Sequence, residues 1–420
     1  MSVRHTSLLD IWIIQIAEPL PIRGDERRMR SNILAEELAH RGHNVVLWVS
    51  AFDHNSKKWA IRSESQLIRR ENIRVVVLKG TGYKRNISLA RFLDHRVISW
   101  KFKGLAKKKE KPDVIIASLP PHDLAFQSVK YAKRNGIPAI VDVRDTWPDI
   151  FLDNIPEWLR GIGRILLFRE FQMVKNTMKE ADCLFAVSNS FLEWGLHHGK
   201  RNRSIRDQVF YLGYHRPDAN VKMENVGTEL KEALDALGDR TVVTYIGTFS
   251  EFQDPSVISE CSRRLEMSDT IFVLAGYGSL CQKAKEEAKS QRNVFFPGWL
   301  NGDEIDALLL KSKIGICPYS KKSEIFPNKA FMYLSAGIPV ISSYQGDLKS
   351  IIESERIGYY FNPGDVDALT DAILTLSGNL RIREEMSRNA NRVFELRFSE
   401  EKIYQGYADF VERMASESRA

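Results

Sequence analysis

The sequence predicts an α/β protein made of two doubly wound parallel sheets, one after the other. Three observations carry the prediction. Short apolar runs alternate with segments of helical periodicity, a polar stretch around residues 200–240 interrupts the alternation, and the same alternation then resumes towards the C-terminus. Strands apolar along their whole length belong to sheets covered on both faces, and strand–helix alternation makes such sheets parallel. A chain of 420 residues is also too long for one ordinary core.

The first set of strands reads as IWIIQIA (11–17), NVVLWVS (44–50), IRVVVLKG (73–80), DVIIASL (113–119), PAIVDVR (138–144) and CLFAVS (183–188). Helical periodicity fills the gaps, as in residues 29–42, which end at Gly42, and residues 122–136. A linker falls near 214–228. The second set reads as TVVTYIGT (241–248), TIFVLAGYG (270–278), NVFFPGWL (293–300), IGICPY (314–319) and IPVISSY (338–344). A last helix over 399–415 carries Tyr404, Tyr407, Phe410, Val411 and Met414 on one side. Two such domains facing each other predict a ligand cleft at the carboxyl ends of their strands.

Composition removes several classes. With 43% hydrophobic and 27% charged residues the chain is globular, not disordered. Four cysteines without a close pair exclude a disulfide framework and a zinc site, and fit a reducing compartment. The apolar run near the N-terminus is only about ten residues and reads as a strand, not a signal peptide. No run of 18 apolar residues predicts a transmembrane helix. Charge is uneven: residues 1–215 hold 36 Lys and Arg against 23 Asp and Glu, the remainder 25 against 31. A basic first half points to an anionic partner such as a membrane surface or a lipid phosphate, or is simply a solvated face. No zinc-finger, RNP-like or basic-zipper pattern appears, which sets nucleic acid aside.

Several stretches carry candidate chemistry. In SEIFPNKAFMYLSAGIPVIS (323–342), Pro327 suits a first helical turn. The N–H groups of Asn328, Lys329 and Ala330 would then face an anion, with Lys329 adding charge and Glu324 able to accept bonds from sugar hydroxyls. A plain helix start with a surface lysine fits the same letters. Gly276 and Gly278 in AGYGSL follow a strand and would let a ligand approach the backbone, or make a tight turn. The stretch is not a GxGxxG fingerprint. Gly247 and Thr248 close another strand. In the first half, residues 17–31 place Gly24 with Arg23, Arg27, Arg28 and Arg30 on the first loop. His122 lies just past a strand, as a structural or a catalytic group. Asp142, Arg144, Asp145 and Asp149 cluster with Trp147 at a strand exit, as a site or a salt-bridge corner. Residues 91–111 and 158–175 mix Lys and Arg with Trp, Phe, Leu and Ile, as interfacial helices do, although their apolar faces could equally be core.

Taken together, the first strand–loop–helix ending AHRGHNVV, then DVIIASLPPHDLAF, IVDVRDTWPD, LAGYGS, NVFFPGWL and FPNKAFMYLSAGIPVIS, resemble the retaining GT-B glycosyltransferases of family 4. The likeness is to the bacterial branch that builds O-antigen and capsule polysaccharides, and spans about residues 10–415. It implies two Rossmann-like domains, a nucleoside diphosphate sugar held mainly by the C-terminal one, and a last helix crossing back to the N-terminal domain. It implies no metal, because basic groups and helix starts would neutralise the leaving diphosphate, and transfer with retention by front-face attack. By this resemblance Glu324 is the first acid of an E-x7-E motif, Lys329 reaches the diphosphate, and Gly24 is the close-approach glycine of the first loop. His122 lies near the donor sugar, Asp145 faces the acceptor, and Gly276, Gly278 and Gly298 surround the nucleotide. Two departures stand out. Met332 occupies the place of the second acid, and Phe249 and Gln253 stand where many relatives carry Arg and Lys.

The expected organisation is an N-terminal acceptor domain over 1–220 with the returning helix 399–420, and a donor domain over 221–398. Glu324, His122 and Asp145 are the expected catalytic residues. Lys329, Gly24, Gly247, Thr248, Gly276, Gly278, Gly298 and Asn328 would hold the donor, and Arg27, Arg28 and Arg144 would face the acceptor. The donor is a nucleotide sugar, uridine diphosphate favoured, and the acceptor is lipid-linked or a polysaccharide. No cofactor or metal is expected. The expected location is cytoplasmic, peripheral at the inner face of the cell membrane through the basic N-terminal domain. A non-catalytic sugar-binding partner and a GT-B epimerase are the alternatives; a phosphorylase would need a pyridoxal lysine site that the sequence does not offer.

Overall fold

The computed structural model describes residues 8–20, 28–153, 155–221, 224, 226–235 and 237–419. The chain divides into two compact units, Met1–Tyr211 with Tyr404–Ala420, and Leu212–Ile403. The division falls at 211/212 and 403/404, where the sequence suggests 220/221 and 398/399.

Among the described residues the first unit has ten strands: β1 (Asp10–Ile14), β2 (Asn44–Ser50), β3 (Phe52–Asp53), β4 (Lys58–Trp59), β5 (Ser65–Arg70), β6 (Ile73–Leu78), β7 (Val114–Leu119), β8 (Ala139–Val143), β9 (Cys183–Ala186) and β10 (Gln208–Val209). Its helices are α1 (Arg30–His40), α2 (Leu89–Ala106), α3 (His122–Asn135), α4 (Asp149–Asp153), α5 (Arg160–Leu166), α6 (Phe168–Glu180) and α7 (Asn189–Gly199). The main sheet runs β10-β9-β8-β7-β1-β2-β6-β5. All neighbours are parallel except β5 against β6. Strand order reverses at β1, which lies between β7 and β2. Carboxyl strand ends at such a reversal are where doubly wound sheets bind ligands. Complete burial on both faces explains the apolar letters of β7 and β8, which only Ser118 and Asp142 interrupt. Trp12 and Trp48 pack at 4.9 Å in this core.

Three features depart from the sequence reading. The β3–β4 hairpin and the antiparallel edge strand β5 are additional, and SQLIRR in β5 lacks the apolar run of a covered strand. The stretch 158–175 is two helices separated at Leu167.

The second unit holds α8 (Thr228–Asp235), β11 (Thr241–Ile246), α9 (Pro255–Arg264), β12 (Thr270–Ala275), α10 (Cys281–Glu287), β13 (Val294–Gly298), α11 (Gly302–Lys311), β14 (Ile314–Cys317), α12 (Asn328–Ser335), β15 (Val340–Ser342), α13 (Gly346–Glu355), β16 (Gly358–Tyr360), α14 (Val366–Gly378) and α15 (Leu380–Val393). Its six-stranded sheet, β13-β12-β11-β14-β15-β16, is parallel throughout and reverses between β11 and β14. The last helix, α16 (Glu400–Arg419), belongs to the first unit from Tyr404 onwards. There Tyr407 stacks on Phe210 at 4.7 Å and 7°, and Phe410 meets Phe185 edge-on. Arg41 anchors the outer face through Asp409 and Glu412.

Candidate functional site

In the second unit the predicted donor residues gather at the reversal between β11 and β14. Lys329, in the first turn of α12, is buried. Its Nζ donates to Gln253 Oε1 at 2.6 Å and lies 4.2 Å from the centre of the Tyr245 ring. Gln253 Nε2 in turn donates to the Tyr344 hydroxyl at 3.1 Å, and Tyr245 Oη donates to the Thr248 carbonyl at 2.6 Å. An amide oxygen and a ring face thus hold this ammonium, and among the described residues no carboxylate forms an ion pair with it. Burial lowers its pKa to about 8, the neighbouring Cys317 acting in the opposite direction.

Main chain laces the adjoining strand ends together. Gly247 N donates to Ala275 O at 3.0 Å, Gly276 N to Gly298 O at 2.7 Å and Phe249 N to Tyr277 O at 2.8 Å. A Cβ on Gly276 would stand 1.8 Å from Gly247 O, and one on Gly278 2.0 Å from Phe249 O. These two glycines admit a neighbouring loop, in keeping with the tight-turn reading of the sequence. Gly247 does border the cation: a Cβ there would be 2.8 Å from Lys329 Nζ. Thr248 and Asn328 are exposed beside it.

Two details of the 323–342 segment are also corrected. Pro327 is the cap residue, with the helix beginning at Asn328, and Ala330 N–H already donates to the Pro327 carbonyl at 3.0 Å. Glu324 is exposed and lies outside the helix, on the irregular segment before it. A Cβ on Gly346, at the start of α13, would meet Glu324 Cβ at 3.0 Å, and Gln345 N–H donates to Ser323 O at 2.7 Å. Met332 is buried within α12. Phe249 is a core residue with no exposure, while Gln253 is the amide that holds Lys329.

Tyr277 and Trp299 were missed by the sequence reading. Both are exposed, one two residues after β12 and one directly after β13, with rings parallel within 7° and centroids 6.3 Å apart. The signal was present: each aromatic follows a glycine at a strand end.

In the first unit the predicted residues separate. Gly24 and Arg27 lie outside the described residues. Arg28 is exposed, with Nε 3.2 Å from Glu36. Arg144, expected to face the acceptor, is tied into a network with buried members. It donates to Asp142 at 2.9 Å, to Ser31 Oγ at 2.8 Å and to Glu18, while Arg30 grips Asp142 with two bonds of 2.9 Å. The two guanidiniums outweigh the effect of burial and hold the Asp142 carboxyl down at about 2. His122 is likewise enclosed by protein. It is fully buried at the start of α3 between Phe92 and Trp147, and burial, helped by Arg96 and Arg169, lowers its pKa to about 3. Among the described residues neither ring nitrogen makes a hydrogen bond, although Asp123 Oδ2 lies 3.2 Å from Nε2 out of alignment. A ring so placed stays neutral at physiological pH.

Asp145 is half-buried. Burial raises its pKa, against the Thr146 N–H bond of 2.8 Å to its Oδ1 and the nearby Arg91. Arg91 stacks at 4.3 Å over Trp147 and, with Tyr83, Asp94 and His95, lines a small pocket past the ends of β1, β2 and β7, the reversal point of this sheet. Arg91 Nε and His95 Nδ1 are buried there without a protein partner among the described residues. Among the described residues no group of three or more His, Cys, Asp and Glu could hold a metal ion, and no helix is long and apolar enough to cross a membrane.

Two Rossmann-like parallel-sheet units in this order make the GT-B fold of glycosyltransferases. Residues 28–205 match the glycosyl transferase 4-like domain, and residues 227–393 match the glycosyl transferases group 1 family; the chain carries these two glycosyltransferase domains. It is 21% identical over 324 residues to sulfoquinovosyl transferase SQD2 of Arabidopsis thaliana, covering 74% of this chain and 58% of the relative. It is 24% identical over 178 residues to O-antigen chain mannosyltransferase C of Escherichia coli, covering 42% and 47%. The chain therefore spans roughly half the length of these curated relatives. Among solved structures, sucrose-phosphate synthase of Thermosynechococcus elongatus superposes with a TM-score of 0.72 at 16% identity, covering 97% of this chain and 100% of that one. HepE of Anabaena in complex with UDP does so at 0.66 and 14%, covering 96% and 99%.

Proposed function

We propose that this protein is a retaining glycosyltransferase that moves a sugar from a nucleoside diphosphate, with uridine favoured, to a lipid-linked or polysaccharide acceptor in cell-surface polysaccharide synthesis. The observation that carries the reading is Lys329, a buried cation at the strand reversal held by an amide and a ring. A diphosphate brought to the start of α12 would supply the missing negative charge, and the helix dipole would add to the attraction. Charge developing on the leaving phosphate is stabilised most where the cation is desolvated and already in place. Glu324 would accept from donor sugar hydroxyls. The exposed faces of Tyr277 and Trp299 suit a nucleobase. In the transfer the anomeric C–O bond to diphosphate breaks, the acceptor oxygen bonds to the same face, and its proton passes to the departing phosphate. No metal is assigned a part. HepE, bound to UDP, is a fold neighbour and supports the donor class.

A thermal-shift screen of UDP-, GDP-, dTDP- and CMP-sugars tests this. A ligand at a hundred times its Kd stabilises a fold by about 2.7 kcal/mol. Lys329→Ala should reduce affinity for the stabilising donor at least ten-fold; failure of every nucleotide to bind sinks the reading. Met332, buried where the resemblance places a second acid, favours one alternative, a non-catalytic sugar-binding partner. That alternative requires donor binding without release of nucleoside diphosphate in the presence of membrane extract.

A further inference from the structure

Helix α5 is unusual in having no buried residue. Around it, Trp158, Ile165 and Leu166 are 79%, 75% and 77% exposed, and Ile162 and Phe168 are also open. Over residues 157–169 there are three arginines, Arg160, Arg164 and Arg169, and one acid, Glu157, all exposed. The inner side of the helix is Gly163, where a Cβ would touch Leu152 and Ile155 at 2.7 and 2.9 Å. The helix is thus laid flat on α4 with its bulky side chains outward.

A second element continues the surface. Phe151 of α4 packs on Phe92 of α2 at 5.3 Å, and Arg96 of α2 reaches Glu170 of α6 at 2.8 Å. The first turns of α2 bring Leu89 and Leu93, both exposed, and the preceding segment adds exposed Ile87, Lys84 and Arg85. Solvent-facing apolar side chains interleaved with arginines, on two neighbouring elements of one unit, are more than scattered surface residues.

We propose that α5 and the start of α2 form a docking surface for an anionic lipid bilayer, the side chains of Trp158, Ile162, Ile165, Leu166 and Phe168 entering the headgroup boundary and the arginines pairing with lipid phosphates. Charge selects this occupant. Two copies packed face to face through the patch would oppose three arginines to three, with Glu157 as the one acid of residues 157–169 to answer them. A bilayer rich in acidic lipids offers an apolar interior and negative headgroups together. The proposal rests on the reading of the acceptor as lipid-linked and gives it a physical route. Arg91, two residues before Leu93 on α2, turns inward and lines the pocket at the sheet reversal, so the docked patch and that pocket share the start of one helix.

The test is co-sedimentation of the full chain with vesicles of phosphatidylglycerol and phosphatidylethanolamine, and with vesicles of phosphatidylcholine alone. The wild type should bind the anionic vesicles and not the neutral ones. Ile165→Glu/Leu166→Glu should weaken partitioning at least ten-fold, and Arg164→Ala/Arg169→Ala several-fold. All these side chains are exposed, so both variants should keep the wild-type melting temperature and nucleotide-induced shift. Unchanged binding by the Ile165/Leu166 variant overturns the proposal, as does a wild type that ignores anionic vesicles. A wild-type dimer in sedimentation equilibrium that the variant abolishes also overturns it, naming a second copy as the occupant. Vesicle binding without nucleotide binding would sink the proposed activity and leave the docking surface standing.

Discussion

Lys329 makes two pH predictions of opposite sign. Its pKa in the folded, empty protein is about 8, against an ordinary lysine value of 10.5. Between those values the unfolded chain binds more protons than the native one, so stability of the empty protein should rise with pH across this window, as chemical denaturation would show. A bound diphosphate favours the charged form, so donor affinity should be full below pH 8 and fall as pH rises through it, as calorimetry would show. His122 makes a contrary case. Buried, neutral and without hydrogen bonds, it should tolerate His122→Leu with activity within a few-fold and a melting temperature within a few degrees. A hundred-fold loss of turnover would return it to the chemistry. Lys329 was legible because a cation beside a helix start has a local signature. The burial of His122 and the ionic ties of Arg144 were not, because both depend on elements brought in from elsewhere along the chain, Phe92 for one and Glu18 for the other.

Among the elements, α16 was the most legible, since its apolar stripe at helical spacing has no plausible place but a core. Removing one member tests how much it contributes: Phe410→Ala should cost about 3 kcal/mol, read as a lower denaturation midpoint. Strands β3, β4 and β5 escaped notice because pairing, not composition, makes them strands. The split between α5 and α6 was hidden for a related reason. Both halves have helical letters, and only the different burial of the two segments shows that one faces the core and the other solvent.

For the whole molecule, the polar break after residue 200 announced two units, and the repeated strand–helix alternation announced that both are doubly wound. The sequence could not show where each sheet reverses, because strand order is a matter of pairing across distance. The laced strand ends of the second unit carry a consequence for how such a chain can change over time. Much of that cradle is main chain, and the demand it places on the sequence is for missing atoms: a Cβ at position 276 or 278 would drive two loops apart. Side chains on the rim, such as Tyr277 and Trp299, are under no such demand. The sugar or base a descendant accepts could therefore drift widely while the frame stays fixed, with its inheritance written as two absences.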